Sequence, residues 1–531
     1  MFPAKIHRLI YLLGIAILLT GMPLSPAMMS ISQFVLLINW IIEGHYKTKI
    51  STLKNNKSAL LIIGLFSLHL VWLFNTSDYT YGLQDIKAKL PLLILPFVLG
   101  SAIQLTVQEF NRFLLLFISA VIVASIACLF KLWGWIGKPV NDIREMSIII
   151  SHIRFGLMIC MAIFSSIYLS VKENYSALPK IIFGIAVLWL TFFLGMMSAI
   201  TSLLILGIIT LIWVIIFASK SGSTIIFIST TALSILIIVL FFNWTSSMYS
   251  KQFTLVEASD VSKLDKITPH GNSYYHSPTS VSIENGMYVY HHICEKEIAE
   301  TWSKRSAFSW DGKNKNGKTI QGAMYRFLTS KGLRKDRNGI EALTDKEINA
   351  IENGITSVEL MNRGELYQRI HQTIWEIGSY QLGIPVGGNS LTQRFEFWKA
   401  ALIISQENLF FGVGTGDVQQ AYEDLYDKDD FGLGTKYRKR AHNQYLTFLV
   451  TFGILGFLFF VISIVYPLTL KQHPLFYVFM AIILISYLNE DTLESQAGAT
   501  FFAGFFSFLS LWKQPFQKKP SLSNKPYVTL L

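Results

Sequence analysis

Residues 441–460 read AHNQYLTFLVTFGILGFLFF, a short polar opening followed by a long apolar run. The apolar part approaches the roughly 20 residues that an α-helix needs to cross a bilayer. Similar runs recur along the 531-residue chain, of which 52% is hydrophobic and only 15% is charged. Because these runs are continuous rather than alternating, they predict helices and not the strands of a barrel. The sequence therefore predicts an all-α polytopic membrane protein.

The apolar runs predict about twelve transmembrane helices, interrupted by one large, partly helical exported loop. The predicted spans lie at residues 8–24, 28–43, 58–75, 89–104, 112–134, 147–170, 179–195, 198–218, 223–243, 443–467, 475–489 and 497–512. This order divides the chain into an N-terminal membrane bundle at 1–243, a large periplasmic loop domain at 244–393, a segment with the last three spans at 394–512, and a cytoplasmic tail at 513–531.

Basic residues predict the orientation, because cytoplasmic loops of membrane proteins carry an excess of lysine and arginine. They gather at one set of span ends, at Lys5, Arg8, Lys47, Lys49, Lys54, Lys57, Lys172, Lys180, Lys220, Lys471, Lys513, Lys518 and Lys519. Both termini are then cytoplasmic and the long loop is exported. The formal charge of +11 is spread over short loops and the two ends, which favours lipid headgroups over nucleic acid as the partner.

The exported loop is too long for a structureless connection, so it is expected to be functional or partly folded. Its stretch LTDKEINAIENGITSVELMNRGELYQRIHQTIWEIGSYQ (343–381) predicts helices, with Thr344 as an N-cap and Glu347 three residues on. The three cysteines of the chain argue against a disulfide framework. His291, His292 and Cys294 lack a second ligand pair at a zinc-site spacing, so the sequence predicts no metal.

His442 is the first candidate catalytic residue, because it stands where a predicted span begins at the outer face. Imidazole, whose usual pKa is about 6.5, accepts a proton near neutral pH with little tuning. The alternative is an interfacial histidine at a helix start. Arg394 precedes Trp398 by one helical turn, so the two share a face. A guanidinium binds phosphate oxygens, and the alternative is an interfacial anchor pair.

Gly412, Gly414 and Gly416, followed by Asp417, predict a tight turn with exposed backbone amides. The turn is not a P-loop, since no Lys-Ser or Lys-Thr follows at the required spacing. This motif is expected to position the groups around it.

Lys436, Arg438, Lys439 and Arg440 form a basic cluster just before His442. Positive charge is disfavoured in short loops on the exported side, so the cluster predicts binding of a diphosphate or an anionic lipid. The alternative is pairing with Asp427, Asp429 and Asp430 in the same loop.

His152 and Arg154 fall within the predicted sixth span. Ionisable groups at membrane depth usually face a polar cavity, so the pair is expected to contribute to the site. The alternative is that the helix begins near residue 147, which places both residues close to the outer interface, where their side chains snorkel.

Taken in order, Arg394, Trp398, GVGTGD at 412–417, His442 and GILG at 453–456 resemble the bacterial O-antigen ligase and polymerase superfamily of integral-membrane glycosyltransferases. The resemblance implies transfer of a glycan from undecaprenyl diphosphate to an acceptor, lipid A core or another glycan, on the periplasmic face of the inner membrane, with neither metal nor cofactor. It also implies that His442 is the general base and that Arg394 contacts the diphosphate.

One position departs from the family pattern. Many relatives carry a basic residue near the outer turn between the seventh and eighth spans, where this chain has Met197. Either Arg154 or the 436–440 cluster supplies the missing charge, or the donor differs, or activity is impaired.

Two alternative functions remain open at this point. A polymerase that joins repeat units needs the same lipid diphosphate and hydroxyl nucleophile as a ligase. A flippase or other transporter of lipid-linked oligosaccharide predicts charged groups along a central pathway and often a repeated architecture, whereas no internal repeat is present here.

Overall fold

The computed structural model of the protein describes residues 3–102, 104–137, 143–172, 175–256, 260–315 and 317–510. The predicted tail at 513–531 lies outside these residues, as do Lys513, Lys518 and Lys519. Nearly all of the regular secondary structure in the described residues is helical, with one two-stranded sheet. The predicted all-α fold of a polytopic membrane protein is confirmed.

The first part of the chain forms a bundle of long apolar helices. They are α1 (Ala4–Leu24), α2 (Pro26–Glu43), α3 (Tyr46–Lys54), α4 (Lys57–Val71), α5 (Tyr79–Lys89), α6 (Pro91–Ser101), α7 (Val107–Leu132), α8 (His152–Lys172), α9 (Ala177–Met196), α10 (Ile200–Ser219) and α11 (Thr224–Phe253). Local sequence sets several of the starts. Asn56 caps α4, and Thr106 with Glu109 forms a capping box that begins α7.

The long loop between α11 and α17, which the sequence analysis predicts to be exported, contains short helices and the small sheet. These elements are β1 (Ile283–Glu284), β2 (Met287–Tyr288), α12 (Glu295–Trp302), α13 (Ile320–Ser330), α14 (Arg337–Glu341), α15 (Asp345–Glu352) and α16 (Glu365–Gln381). The predicted cap is confirmed, since Thr344 and Glu347 form a capping box at the start of α15. Fully buried Trp302, Phe327 and Ile351 belong to a hydrophobic core that this loop builds for itself.

The last part of the chain returns to the membrane bundle. It consists of α17 (Thr392–Glu407), α18 (Val418–Lys428), α19 (Gln444–Thr469), α20 (Pro474–Ser486) and α21 (Gln496–Ser510). Phe508 of α21 stacks on Phe110 of α7 at 4.7 Å between ring centroids. A side chain at Gly504 would meet Met22 of α1 at 2.4 Å, so α21 packs tightly among the first helices. This packing brings the segment between α20 and α21 back to the N-terminal bundle.

Nine of the described helical segments are long and apolar enough to cross a membrane. They are α1, α2, α4 with its continuation to Asn75, α7, α8, α9, α10, α11 and α19. The predicted spans at 89–104, 475–489 and 497–512 correspond to the shorter helices α6, α20 and α21, of 11, 13 and 15 residues. The number of twelve spans therefore stays a prediction.

Candidate active site

The backbone around His442 is held in an uncommon conformation. His442 has a φ of +46°, a left-handed conformation that few non-glycine residues adopt. The next residue, Asn443, caps α19: its Oδ1 accepts from the Leu446 amide at 3.1 Å, and its Nδ2 donates to the Leu488 carbonyl at 2.9 Å. The imidazole therefore sits on a turn that is tied to α19 on one side and to the segment after α20 on the other.

Gln444, the first residue of α19, extends this tie. Its backbone amide donates to the Tyr487 carbonyl at 2.9 Å, and its side-chain Oε1 accepts from the Leu493 amide at 2.7 Å. Its Nε2 donates to Glu494 Oε1 at 3.2 Å. The segment 487–495 is thus fastened over the start of α19, and its acidic residues lie beside His442.

Asp491 faces the imidazole. Oδ1 of Asp491 lies 3.4 Å from Nδ1 of His442, the separation of an ion pair rather than of a well-formed hydrogen bond. Nδ1 is buried, while about a third of the His442 side chain stays exposed, which leaves Nε2 open to a substrate. Burial opposes the charge of Asp491, but nearby His442 and Arg440 outweigh it and lower the pKa of Asp491 to about 2.

Glu490 has the opposite electrostatic character. Burial and the neighbouring charge of Asp491 raise the pKa of Glu490, although Arg154, His442 and Arg394 favour its ionised form. Two adjacent carboxyl groups therefore differ: Asp491 keeps its charge, and Glu490 holds a proton more readily than an ordinary glutamate.

Two arginines from distant helices approach the same segment. Nη2 of Arg154, in the first turn of α8, lies 3.6 Å from Glu490 Oε1. Nε of Arg154 is buried and has no hydrogen-bond partner among the described residues. Arg394 of α17 donates from Nε to the Asn489 carbonyl at 3.0 Å and also bonds the Ser390 carbonyl. Burial lowers the pKa of Arg394, although the carboxylates of Glu490 and Asp491 oppose this shift. A guanidinium nevertheless stays charged.

Glu494 connects the site to an ion-pair network around the fully buried Lys89. Nζ of Lys89, at the end of α5, lies 2.9 Å from Glu494 Oε2 and also pairs with Asp85. His69 of α4 lies 3.1 Å from Asp85 through Nδ1. Arg440 adds a second cation, 3.6 Å from Glu494. Since each buried charge has a partner, this network fixes α5 and the 487–495 segment relative to each other.

Trp398 lies one turn after Arg394 on α17. Its indole N–H donates to the carbonyl of Ala441 at 3.0 Å, immediately before the imidazole. The ring of Phe397 lies 6.0 Å from that of His442. Helix α17 therefore holds both an arginine at the acidic segment and an indole that supports His442.

The GVGTGD turn packs inside the protein. The amides of Val413 and Gly414 donate to carbonyls of α19, and the amide of Gly416 donates to Thr76 Oγ1. Asp417 accepts from the backbone amides of Ser77 and Asp78 at 2.7 and 2.8 Å. These amides are therefore occupied within the protein and are not exposed as the sequence suggested. The turn positions α17, α18 and α19 against the end of α4.

Glycine is required where this turn meets its neighbours. Gly414 has a φ of +95°, and a Cβ there would lie 1.8 Å from the Asn75 carbonyl oxygen. Gly412 and Gly453 face each other, so that a Cβ on Gly412 would meet the Gly453 nitrogen at 2.5 Å. Gly453 is itself non-helical, and α19 is kinked there.

This arrangement coincides with a known family. Residues 356–461 match the family model described as O-antigen ligase. This segment is similar to the O-antigen ligase family, and we call it the O-antigen ligase domain. The predicted resemblance to the O-antigen ligase and polymerase superfamily is confirmed, and the domain supports a membrane glycan-processing function of that type. No curated protein matches the chain.

The O-antigen ligase domain supplies only part of the site. Arg394, Trp398, the GVGTGD turn and His442 lie within the matched residues, whereas Arg154 and the acidic residues of 487–495 lie outside them. The acidic residues that contact this domain therefore come from the connection between α20 and α21, and a further cation comes from α8.

The basic cluster before His442 is divided between two environments. Arg438 pairs with Asp427 of α18, as in the pairing alternative, and Lys436 lies over the Tyr437 ring at 4.6 Å. Arg440 instead turns towards Glu494. Burial opposes the charge of Arg440, but Glu494 outweighs burial and raises the pKa of Arg440 above its usual value. Only Arg440 of these residues is joined to the acidic segment by an ion pair.

The sixth span begins later than the sequence suggested. Helix α8 begins at His152, so His152 and Arg154 lie in its first turn rather than deep within the span. Met197 is fully buried in the membrane-bundle core, with no room for a solvated charge at that position. Nearby Thr201 accepts from Asn489 Nδ2 at 2.8 Å, which links the start of α10 to the acidic segment.

Glu490, Asp491 and Glu494 are functional candidates that the sequence analysis missed. They stand together in YLNEDTLES (487–495), between two apolar runs. Three acidic groups in such a short connection at a membrane edge are unusual. Ionisable groups there are costly, and those that occur usually belong to a functional site. The number of acidic residues in this short connection was therefore the sequence feature that could have identified them.

One group of ligand atoms is close enough to hold a metal ion. The ligand atoms of His442, Glu490 and Asp491 lie within 4.8 Å of one another, the set of this kind found among the described residues. The guanidinium groups of Arg154, Arg394 and Arg440 already supply positive charge around it. Their repulsion opposes a cation at this place and favours an anionic ligand instead.

Proposed function

We propose that the protein transfers a glycan from undecaprenyl diphosphate to an acceptor hydroxyl, as an O-antigen ligase does, at the periplasmic face of the inner membrane. The observation that carries the proposal is the His442–Asp491 contact of 3.4 Å with Arg154 and Arg394 at the adjacent residues. A proton acceptor beside fixed cations suits a reaction in which a hydroxyl attacks while an anion leaves.

His442 acts as the general base in this proposal. Its exposed Nε2 removes the proton of the acceptor hydroxyl, and the hydroxyl oxygen attacks the anomeric carbon of the donor. The bond from that carbon to the diphosphate oxygen breaks, and undecaprenyl diphosphate leaves. A single displacement of this kind inverts the anomeric configuration. Asp491, a positioning residue, holds Nδ1 and stabilises the imidazolium that forms.

Arg154 and Arg394 bind the diphosphate. Arg154 keeps a buried Nε without a partner among the described residues, and an anionic oxygen would satisfy it. The proton-holding tendency of Glu490 reduces repulsion against the lipid diphosphate. Because the leaving group gains charge in the transition state, these cations stabilise it more than the ground state. The reaction needs neither metal nor cofactor.

Transfer in vitro tests the proposal directly. Full-length protein is incubated with an undecaprenyl diphosphate sugar and candidate acceptors, lipid A core among them. His442→Ala should lower the transfer rate by roughly 100- to 10,000-fold, the range for a lost general base. His276→Ala, in the exported loop, is the matched control and should leave the rate unchanged. Unchanged transfer in His442→Ala would remove this residue from the mechanism.

The glycans of a deletion strain distinguish a ligase from a polymerase and from a transporter. Loss of a ligase leaves free lipid-linked polymer, whereas loss of a polymerase leaves surface glycan capped with single repeat units. Donor accumulating on the inner leaflet would instead indicate transport.

A further inference from the structure

The exported loop contains a cleft that the mechanism does not use. Its volume is about 470 Å³, within the roughly 300–1,000 Å³ of small-ligand sites. Its lining includes residues of α13, the residues that precede β1, and Gly383–Pro385. Gly383–Pro385 lead from α16 into α17, the helix that carries Arg394. The cleft thus lies where the loop domain adjoins the O-antigen ligase domain.

Short hydroxyl side chains are common in the lining of the cleft. They are those of Ser280, Ser282, Thr319 and Thr356. Hydroxyls both donate and accept hydrogen bonds, which matches a ligand that itself carries many hydroxyl groups. A cleft for an apolar ligand would be lined mainly by aliphatic side chains.

Aromatic rings and cations complete the lining. Tyr290, which is 39% exposed, and Trp375 are the aromatic lining residues. Lys318 and Arg326 are the cations. The described lining residues include no carboxylate. The cleft therefore suits a neutral or acidic polyhydroxyl ligand and disfavours a cationic one.

Arg326 and Trp375 are held in place before any ligand binds. The guanidinium lies over the indole at 3.8 Å, and its Nε donates to the fully buried Glu284 at 2.7 Å. The indole N–H donates to the Ile283 carbonyl at 3.2 Å. The terminal nitrogens of Arg326 have no hydrogen-bond partner among the described residues, so their donors remain available. Fixed groups of this kind lower the entropic cost of binding.

We propose that this cleft binds a short saccharide segment of the glycan that the enzyme handles. The hydroxyl side chains bond the sugar hydroxyls, Tyr290 packs against a ring face, and Lys318 with Arg326 accommodates an acidic substituent. The inference rests on the proposed function for the source of the sugar, which is either donor glycan or acceptor glycan. Binding at the cleft would hold that glycan while its reacting end lies at His442.

Saturation-transfer NMR on full-length protein in nanodiscs tests the binding. One arm uses the saccharide released by mild acid from the producing strain's donor lipid, and the other uses its core oligosaccharide. Tyr290→Ala with Lys318→Ala should weaken binding in one arm by roughly tenfold or more, the loss of about 1.4 kcal/mol of contacts. Tyr275→Ala with Lys304→Ala is the matched control, since these residues belong to the same domain but do not line the cleft.

The two proposals fail in different ways. Absence of saturable binding in both arms, or equal affinity of the cleft and control variants, would overturn the cleft proposal even if His442→Ala abolishes transfer. Conversely, His442→Ala with unchanged transfer would refute the mechanism, while saccharide binding measured by NMR would still stand. In transfer assays, the cleft variant should raise KM and leave kcat unchanged, and its melting temperature should equal that of the wild type.

Discussion

Nδ1 of His442 lies 3.4 Å from Oδ1 of Asp491, and this contact joins the start of α19 to the connection between α20 and α21. The buried Nδ1 faces the carboxylate, and the rest of the ring faces outwards. The pair therefore has the arrangement of a base whose orientation is set by an acid. Arg154 of α8 and Arg394 of α17 contact the neighbouring residues Glu490 and Asn489.

Replacing Asp491 by asparagine removes the charge and keeps the shape. We expect kcat for glycan transfer to fall by roughly 100-fold or more, because the imidazolium loses its stabilising partner. KM for the donor should change little. Asp427→Asn is the control, since Asp427 pairs with Arg438 on the surface. Equal kcat values for the two variants would argue against a positioning role of Asp491.

Replacing Arg154 by glutamine removes a charge-assisted contact to the diphosphate. Such contacts are worth about 1.5–3 kcal/mol, so kcat/KM for the lipid donor should fall by roughly 10- to 150-fold. The measurement is the initial transfer rate over a donor concentration series. Arg334→Gln, on the exposed surface of the loop domain, should behave as the wild type. A wild-type kcat/KM in Arg154→Gln would exclude the diphosphate contact.

Trp398→Phe deletes the hydrogen bond to the Ala441 carbonyl and keeps an aromatic ring. Loss of one such bond should lower stability by about 1 kcal/mol. Because Ala441 precedes His442, kcat should fall as well. Trp302→Phe is the control: its indole N–H also donates to a carbonyl, that of Phe308, but within the core of the loop domain. The control should lose similar stability and retain kcat.

Gly414→Ala tests the packing of the GVGTGD turn. A Cβ would lie 1.8 Å from the Asn75 carbonyl oxygen at a positive φ, so the variant should lose at least about 2 kcal/mol of stability. Thermal unfolding in detergent measures the loss. Gly364→Ala is the control, because its φ is negative and no atom lies within 4 Å of the added Cβ. Equal melting temperatures would contradict the close packing.

The charge of Asp491 predicts a pH dependence of stability. Its pKa is about 2 in the folded protein, and that of an unfolded aspartate is about 3.9. The stabilising contribution is therefore complete above the unfolded value and is lost as the pH falls from about 4 to about 2. The apparent melting temperature should fall over this range, and by less in Asp491→Asn. Identical pH profiles for the wild type and this variant would contradict the assignment.

The sequence by itself determined the class of protein, because long apolar runs leave only membrane helices as a structure that satisfies the backbone. It also indicated the order of the helices, the cap at Thr344, and the resemblance carried by Arg394, GVGTGD and His442. These features depend on residues close together in the chain, where periodicity and motif spacing are informative.

Only the tertiary structure decided which residues meet. Asp491 reaches His442 because α21 packs among the first helices and draws the 487–495 segment over α19. Arg154 and Arg440, which the sequence had grouped with other candidates, are brought to this segment, whereas Arg438 pairs with Asp427. Such contacts join positions far apart in the chain, and local patterns carry no information about them. The partner of each charge is set by helix packing.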